Sequence, residues 1–312
     1  MRDDRIQSLR KKFHSSNHKS LNQTAYKEEG STEKVKKKNG DLFFFSKSTL
    51  ENKIDLKDQF LGLPIFLILS GPSLVKNKKV SQSLEDIKSL GAFSLGVNNS
   101  WSIFKPTFWT CADGPNKFLS SGWLDPRIIK FVPKGKEDQK IRKKENGKFI
   151  DTSIRTRDCP NVLFYPRNTD FDSEFFLTEG SVNWGQTSKR PCSVGYRGSR
   201  SVMLSAIRLC YHLGFRSIYL LGCDFQMKRG QQNYAFKQER SKSSVNGNNR
   251  TYDILNDRFD ALKPIFEKKA LSVYNCNPES GLKSFPYADP LQGIEQFKKF
   301  IPPKEDTYGW YD

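Results

Sequence analysis

An α/β fold with one central parallel sheet flanked by helices is predicted by three features of this sequence. Short continuous apolar runs, such as Ile65–Leu69 and Ser217–Gly222, have the length and composition of strands buried on both faces. Stretches with helical apolar spacing, at Ser81–Leu90 and Val202–Gly214, alternate with such runs, the order that builds parallel sheets. The apolar runs also end in small, polar or acidic residues, and ligands of open parallel sheets collect where loops leave the carboxyl ends of the strands.

The 312 residues are enough for one large domain with additions, and 36% hydrophobic and 13% aromatic content provides for a sizeable core. Fifty-two basic residues against 34 acidic ones leave a net charge of +18, which favours anionic substrates or a polyanion such as nucleic acid. The six cysteines, Cys111, Cys159, Cys192, Cys210, Cys223 and Cys276, are dispersed without a CxxC or Cys/His pattern, so reduced thiols are expected rather than structural zinc. No apolar run reaches the length of a transmembrane helix and the N-terminus lacks the apolar core of a secretion signal. The default expectation is therefore a cytoplasmic protein, in an infected host's cytoplasm if the source is viral.

Residues 1–60 form a polar, basic extension in which Phe43-Phe44-Phe45 marks a docking strand or short hairpin, packed on the main domain or turned towards a nucleobase. The main domain spans 61–300, and 301–312 is a tail. Ile65–Leu69 is its first central strand and leads into Ser70-Gly71-Pro72-Ser73. A helix over Ser81–Leu90 precedes a strand over Ala92–Val97, which exits at Asn98-Asn99. Pro106–Cys111 reads as a further strand, followed by Ala112-Asp113-Gly114-Pro115.

A basic insertion is expected over 127–190. From Arg127 to Arg157 there are eleven basic and four acidic residues, a local excess of seven. Lys134, Lys136, Lys140, Arg142, Lys143, Lys144 and Lys148, with Phe131 and Phe149 as stacking groups, either line a phosphate-binding surface or form an exposed solubilising segment. Further on, Ser199 or Ser201 is placed to cap a helix over Val202–Gly214, whose free N-terminal amides, with Arg197 and Arg200, would attract phosphate. Ser217–Gly222 is a buried strand with Cys223-Asp224-Phe225 at its exit. Asp113 and Asp224 can converge across such a sheet and there bind a divalent ion (magnesium or manganese), accept a proton, or orient a sugar hydroxyl, unless they simply cap turns. Lys237–Arg250, with Asn246-Gly247-Asn248-Asn249, reads as a turn-rich lid before a helix over Tyr252–Leu262 and a last strand over Leu271–Tyr274.

Leu67-Ile68-Leu69-Ser70-Gly71-Pro72-Ser73-Leu74, Asn98-Asn99, the run Leu213–Phe225 and the closing loop Asn275–Pro286 together resemble a superfamily of Rossmann-like nucleotide-dependent transferases. It includes bacterial family 42 sialyltransferases and domains related to pterin diphosphokinases, and the resemblance covers about residues 64–290. It implies a Rossmann-like sheet and a donor nucleotide over Gly71, Pro72 and Ser73. It also implies that Asn98 or Asn99 contacts ribose or base, and that Ser199 or Ser201 is the serine opening the family's later helix. Glycine admits close backbone approach, and an amide offers both donor and acceptor atoms.

The late-loop histidine that serves the sialyltransferases as general base has no counterpart, because no histidine lies between Tyr219 and Asp312. His212 falls in the helix before the acidic strand exit, where a structural role is expected. Proton removal then falls to a carboxylate, Asp113 first, with Asp224 orienting a hydroxyl or contacting a metal. The expected activity is glycosyl transfer from a nucleotide-sugar donor to a hydroxyl acceptor, including a hydroxylated base in DNA or another nucleic acid, as in the DNA modification carried out by phage proteins. Two other activities fit the same features: diphosphoryl transfer to a small hydroxyl compound, and noncatalytic nucleic-acid binding on a transferase-like fold. A redox dinucleotide enzyme is disfavoured, since the glycine spacing of the full fingerprint is absent.

Overall fold

The computed structural model describes residues 40–46, 49–168, 171–185 and 200–303. Its elements in chain order begin with β1 (Phe44–Ser46), β2 (Thr49–Ile54), β3 (Pro64–Ile68), α1 (Ser73–Lys76), α2 (Lys78–Ser89), β4 (Ser94–Val97), β5 (Phe108–Thr110), α3 (Ser120–Leu124) and β6 (Ile129–Pro133). They continue with β7 (Lys140–Glu145), β8 (Lys148–Arg155), β9 (Val162–Tyr165), β10 (Arg167–Asn168), β11 (Val182–Asn183), α4 (Val202–His212), β12 (Ser217–Leu221), α5 (Lys242–Lys268), β13 (Ser272–Asn275) and α6 (Pro290–Lys298).

Nine strands form one sheet in the order β13-β12-β3-β4-β5-β6-β9-β1-β2. Seven of them are parallel, as the apolar runs predicted. The sheet as a whole is mixed, because β1 runs antiparallel to β9 and β2 antiparallel to β1. Phe44 explains the addition: it is fully buried, with its ring 5.0 Å from that of Phe131, while Phe45 is partly buried against the Trp109 and Trp123 cluster and Phe43 is half-buried. Strands β3, β4, β6 and β9 are buried at every position, as both-face burial requires. A cluster of Phe60, Phe93, Phe108 and Phe215, with ring centroids 4.8–6.3 Å apart, fills the interior.

Helix α6 lies on β3 and β12, where a Cβ on Gly293 would come within 2.7 Å of the Tyr219 ring and 2.9 Å of the Phe66 ring. Helix α4 contacts β4 and opens at Ser201, whose hydroxyl accepts from the Met203 amide at 3.1 Å. Of the two serines expected to cap it, Ser201 does so, while Ser199 and Arg197 lie outside the described residues. No helix among the described residues is long and apolar enough to cross a membrane.

Within the basic stretch the chain first lays down β6, then a separate two-stranded antiparallel hairpin, β7–β8, and then returns to the sheet as β9. The hairpin turns at Asn146 (φ 48°) and Gly147 (φ 78°), the residue pair that best tolerates two successive left-handed positions. Not every basic residue here is on the surface. Lys130 is fully buried, its ammonium donating to the carbonyls of Asp125, Ile128 and Pro160 at 2.7–2.9 Å, and burial lowers its pKa to about 8.

One expected loop is helical instead. Asn246-Gly247-Asn248-Asn249, read as a flexible turn, sits inside α5, whose helix starts at the cap made by Ser241 Oγ accepting from the Ser244 amide at 3.2 Å. Tertiary contacts override the weak local propensity: Val245 is buried, and the Asn249 amide bonds the backbone N and O of Met227 at 2.8 and 3.0 Å.

His212 is buried with its ring 5.6 Å from Phe44 and lines neither cavity described below. Burial, reinforced by the charges of Arg208 and Lys57, lowers its pKa to about 3. The unfolded chain therefore binds a proton below about 6.5 that the folded chain refuses, so this residue costs stability as pH falls from about 6.5 towards 3. Relative to the wild type, His212→Leu should gain about 1.4 kcal/mol per pH unit across that window. Urea unfolding at a series of pH values measures it, and parallel curves for the two proteins would refute it.

Candidate functional site

Strand order reverses beside β3. After β3 the chain moves outwards through β4, β5, β6 and β9, then crosses back so that β12 pairs on the other side of β3, in register from Pro64↔Ser217 to Ile68↔Leu221. Loops leaving β3 and β12 at such a reversal diverge to opposite sides and leave a crevice at the carboxyl ends. Here the first loop carries Gly71-Pro72-Ser73 and the second carries Asp224.

The two loops are tied by the Asp224 carboxylate. Its Oδ2 accepts from the Ser73 amide at 3.1 Å and the Ser73 hydroxyl at 2.8 Å, and its Oδ1 accepts from Asn277 Nδ2 at 3.2 Å. The Gly71 amide donates to the Gly222 carbonyl at 2.9 Å. Glycine is required at 71 by proximity: a Cβ there would stand 1.9 Å from Asp224 Oδ2 and 2.5 Å from the Gly222 oxygen. The chain kinks sharply on either side of the aspartate, with Gly222 at φ 72° and Phe225 at φ 53°. For Phe225 the left-handed conformation costs about 1–2 kcal/mol, and stacking on Tyr252 at 4.6 Å holds it. Burial pushes the Asp224 carboxyl above its ordinary pKa, while the two Ser73 hydrogen bonds and Lys76 pull it part of the way back.

Two cavities meet at this carboxylate. The larger, about 650 Å³, is lined by Gly71, Asn98, Asn99, Asp113, Ser201 and Asp224 among others. The smaller, about 350 Å³, is lined by Pro72, Ser73, Asp224, Gln226, Asn233 and Asn277 among others. The fold thus brings together residues from the exits of β3, β4, β5 and β12 and from the start of α4. Asn98 begins the turn after β4 with φ 51°, its Oδ1 is buried without a hydrogen-bond partner, and its carbonyl accepts from Trp109 Nε1 at 2.6 Å. An orphaned buried acceptor of this kind takes its donor from an ordered water or a ligand.

Asp113 is placed differently from Asp224. It lies at the rim with its side chain half exposed, 3.4 Å from the Lys117 ammonium. The two carboxylates share the larger cavity, but one is held by hydrogen bonds from Ser73 and Asn277 and the other by an ion pair. Among the described residues no group of three or more His, Cys, Asp or Glu side chains could hold a metal ion. Arg200 stacks against Trp184, its guanidinium 4.9 Å from the ring, and lines neither cavity.

Sequence reasoning passed over part of the lining. Tyr234 and Phe236 stack at 5.3 Å, and Arg240 donates to the Tyr234 hydroxyl at 3.1 Å, all on the larger cavity. Their signal was the alternation Tyr234-Ala235-Phe236, which anchors through buried Ala235 and the Ala235 amide donating to Ser70 O at 2.9 Å.

Gly71→Ala should destabilise the protein by about 1–3 kcal/mol, because a methyl group cannot enter without displacing the Asp224 carboxylate or the β12 backbone. Gly247→Ala, where a Cβ would meet nothing within 4 Å inside α5, should instead leave stability unchanged or raise it by up to about 1 kcal/mol. Chemical denaturation of the two variants beside the wild type gives both numbers, and equal midpoints would show that the close approach at Gly71 carries no cost.

Comparison of the chain with protein-family models, curated proteins and solved structures returns no match.

Proposed function

We propose that the protein is a nucleotide-dependent glycosyltransferase acting on a hydroxyl acceptor, with Asp224 as the acceptor's proton-accepting group. The observation that carries this reading is the part-buried Asp224 carboxylate, fixed between two cavities at the point where strand order reverses. The same reversal supports grouping the domain with Rossmann-like folds.

In this reading the donor nucleotide occupies the larger cavity. Asn98 Oδ1 accepts from its base or ribose, Tyr234 and Phe236 supply stacking faces, and the Gly71 loop admits the phosphates close to the backbone. Asp224 takes the proton from the acceptor hydroxyl as its oxygen bonds to the anomeric carbon. The bond from that carbon to the donor phosphate breaks, and the nucleotide leaves with the electron pair. Asp224 takes precedence over Asp113 because burial raises its basicity and three hydrogen bonds fix its position, whereas Asp113 is exposed and ion-paired.

Mass spectrometry of a panel of nucleotide sugars and nucleoside triphosphates with hydroxylated nucleic acids and small hydroxyl compounds, with and without magnesium, tests the assignment. A sugar mass on an acceptor is expected, lost by at least 100-fold in Asp224→Asn and retained in Asp113→Asn. Added diphosphoryl mass would replace glycosyl transfer by diphosphokinase chemistry, and intact donors throughout would leave a noncatalytic binding protein.

The pH dependence has a definite sign. Asp224 must be deprotonated to act, and its raised pKa moves the acidic limb of the rate profile above the range of an ordinary carboxylate. Serine donation to Oδ2 opposes that rise, so Ser73→Ala should move the limb to still higher pH. A limb that stays in place in Ser73→Ala assigns the titration to another group.

A further inference from the structure

The β7–β8 hairpin stands apart from the central sheet and is rooted beside the active cleft. Ile141 is fully buried against the Trp109 and Trp123 cluster, and Leu119 bridges Arg142, so the hairpin base is fixed to the β5 exit and α3. From that base Arg142 and Phe149 reach the lining of the larger cavity, where Asp113 and Asp224 also lie. Phe149 is 55% exposed and the neighbouring Ile150, on the other face of the strand, is 40% exposed.

The charge on this hairpin is only partly neutralised. Arg142 pairs with Asp151 and Lys143 with Glu145, while Lys140, Lys144 and Lys148 are exposed and make no ion pair among the described residues. A twisted basic ribbon with an exposed ring at the mouth of a cleft combines the two parts of a nucleic-acid grip, cations for phosphates and a face for a base. Asp224 lines the same cavity and is part-buried. A base in a duplex is already paired and stacked on its neighbours, whereas an unpaired base is free to stack on the exposed Phe149 ring.

We infer that the acceptor is a nucleotide within a single-stranded nucleic acid, held by Lys140, Lys144 and Lys148 through its phosphates and by Phe149 through base stacking. This rests on the transfer reading for the identity of the reaction, but the grip itself is a binding property and is measured without turnover. Lys144 and Lys148 stand clear of the carboxylate and the Asn98 wall, so changing them leaves the donor site intact.

Fluorescence anisotropy of the full-length protein with a labelled single strand of about 12 nucleotides tests the grip, with a duplex of the same sequence and heparin as competitors. The wild type should bind the single strand more tightly than either competitor, with affinity falling as salt rises. Lys144→Glu with Lys148→Glu should weaken binding at least tenfold and reduce the logarithmic salt slope by about 2. Phe149→Ala should weaken single-strand binding about tenfold at unchanged salt slope. Donor binding, followed by calorimetry with a nucleoside diphosphate, should be the same in the wild type and the lysine variant, neither lysine being on the lining of the larger cavity. Unchanged strand affinity in the variants, or wild-type affinity for heparin equal to that for the strand, overturns the inference. Strand binding lost in the variants but with no donor binding in any protein keeps the grip and removes the transfer reading instead.

Discussion

Everything at the cleft hangs on one carboxylate accepting three hydrogen bonds. Asp224 joins the loop after β3 to the loop after β12 through Ser73, and joins both to the late loop through Asn277. The sheet's order forces these loops apart, so without an interaction across the gap the crevice would have no fixed floor. Buried acceptors are costly when unmet, and here Ser73 and Asn277 meet them. The kinks at Gly222 and Phe225 and the missing side chain at Gly71 follow from the same constraint, since each lets the backbone come close enough for the contacts to form.

Much of this was legible before any coordinates. Buried parallel strands announce themselves as continuous apolar runs, and β3, β4, β5 and β12 fall within a few residues of where those runs lie. The exits of these strands supplied Gly71, Ser73, Asn98 and Asp224 together, because the topology rule that gathers them depends only on strand direction. What the pattern could not carry was relative depth. Asp113 and Asp224 look alike in sequence, each an acidic residue at a strand end, and only the packing distinguishes a rim carboxylate paired with Lys117 from a floor carboxylate held by Ser73.

Two other elements were hidden for different reasons. The basic stretch has no helical register in which its charges converge, and Asn146-Gly147 between two short strands is a strong local sign of a hairpin. Helix α5 was obscured because Asn246 to Asn249 have poor helix propensity. Its formation depends on Met227, a residue about twenty positions earlier whose backbone satisfies the Asn249 side chain. Such information is nonlocal and no window of sequence contains it.

The order of the strands also sets when the cleft can exist during synthesis. β3 emerges early, but its partner β12 follows about 150 residues later, and Asn277 later still. A nascent chain released short of that point could fold β3 to β9 into a partial sheet while leaving the β3 loop without its carboxylate. The three contacts of Asp224 therefore require the chain at least as far as Asn277, and a product truncated before it would lack the assembled cleft by geometry before any quality-control machinery had to recognise it.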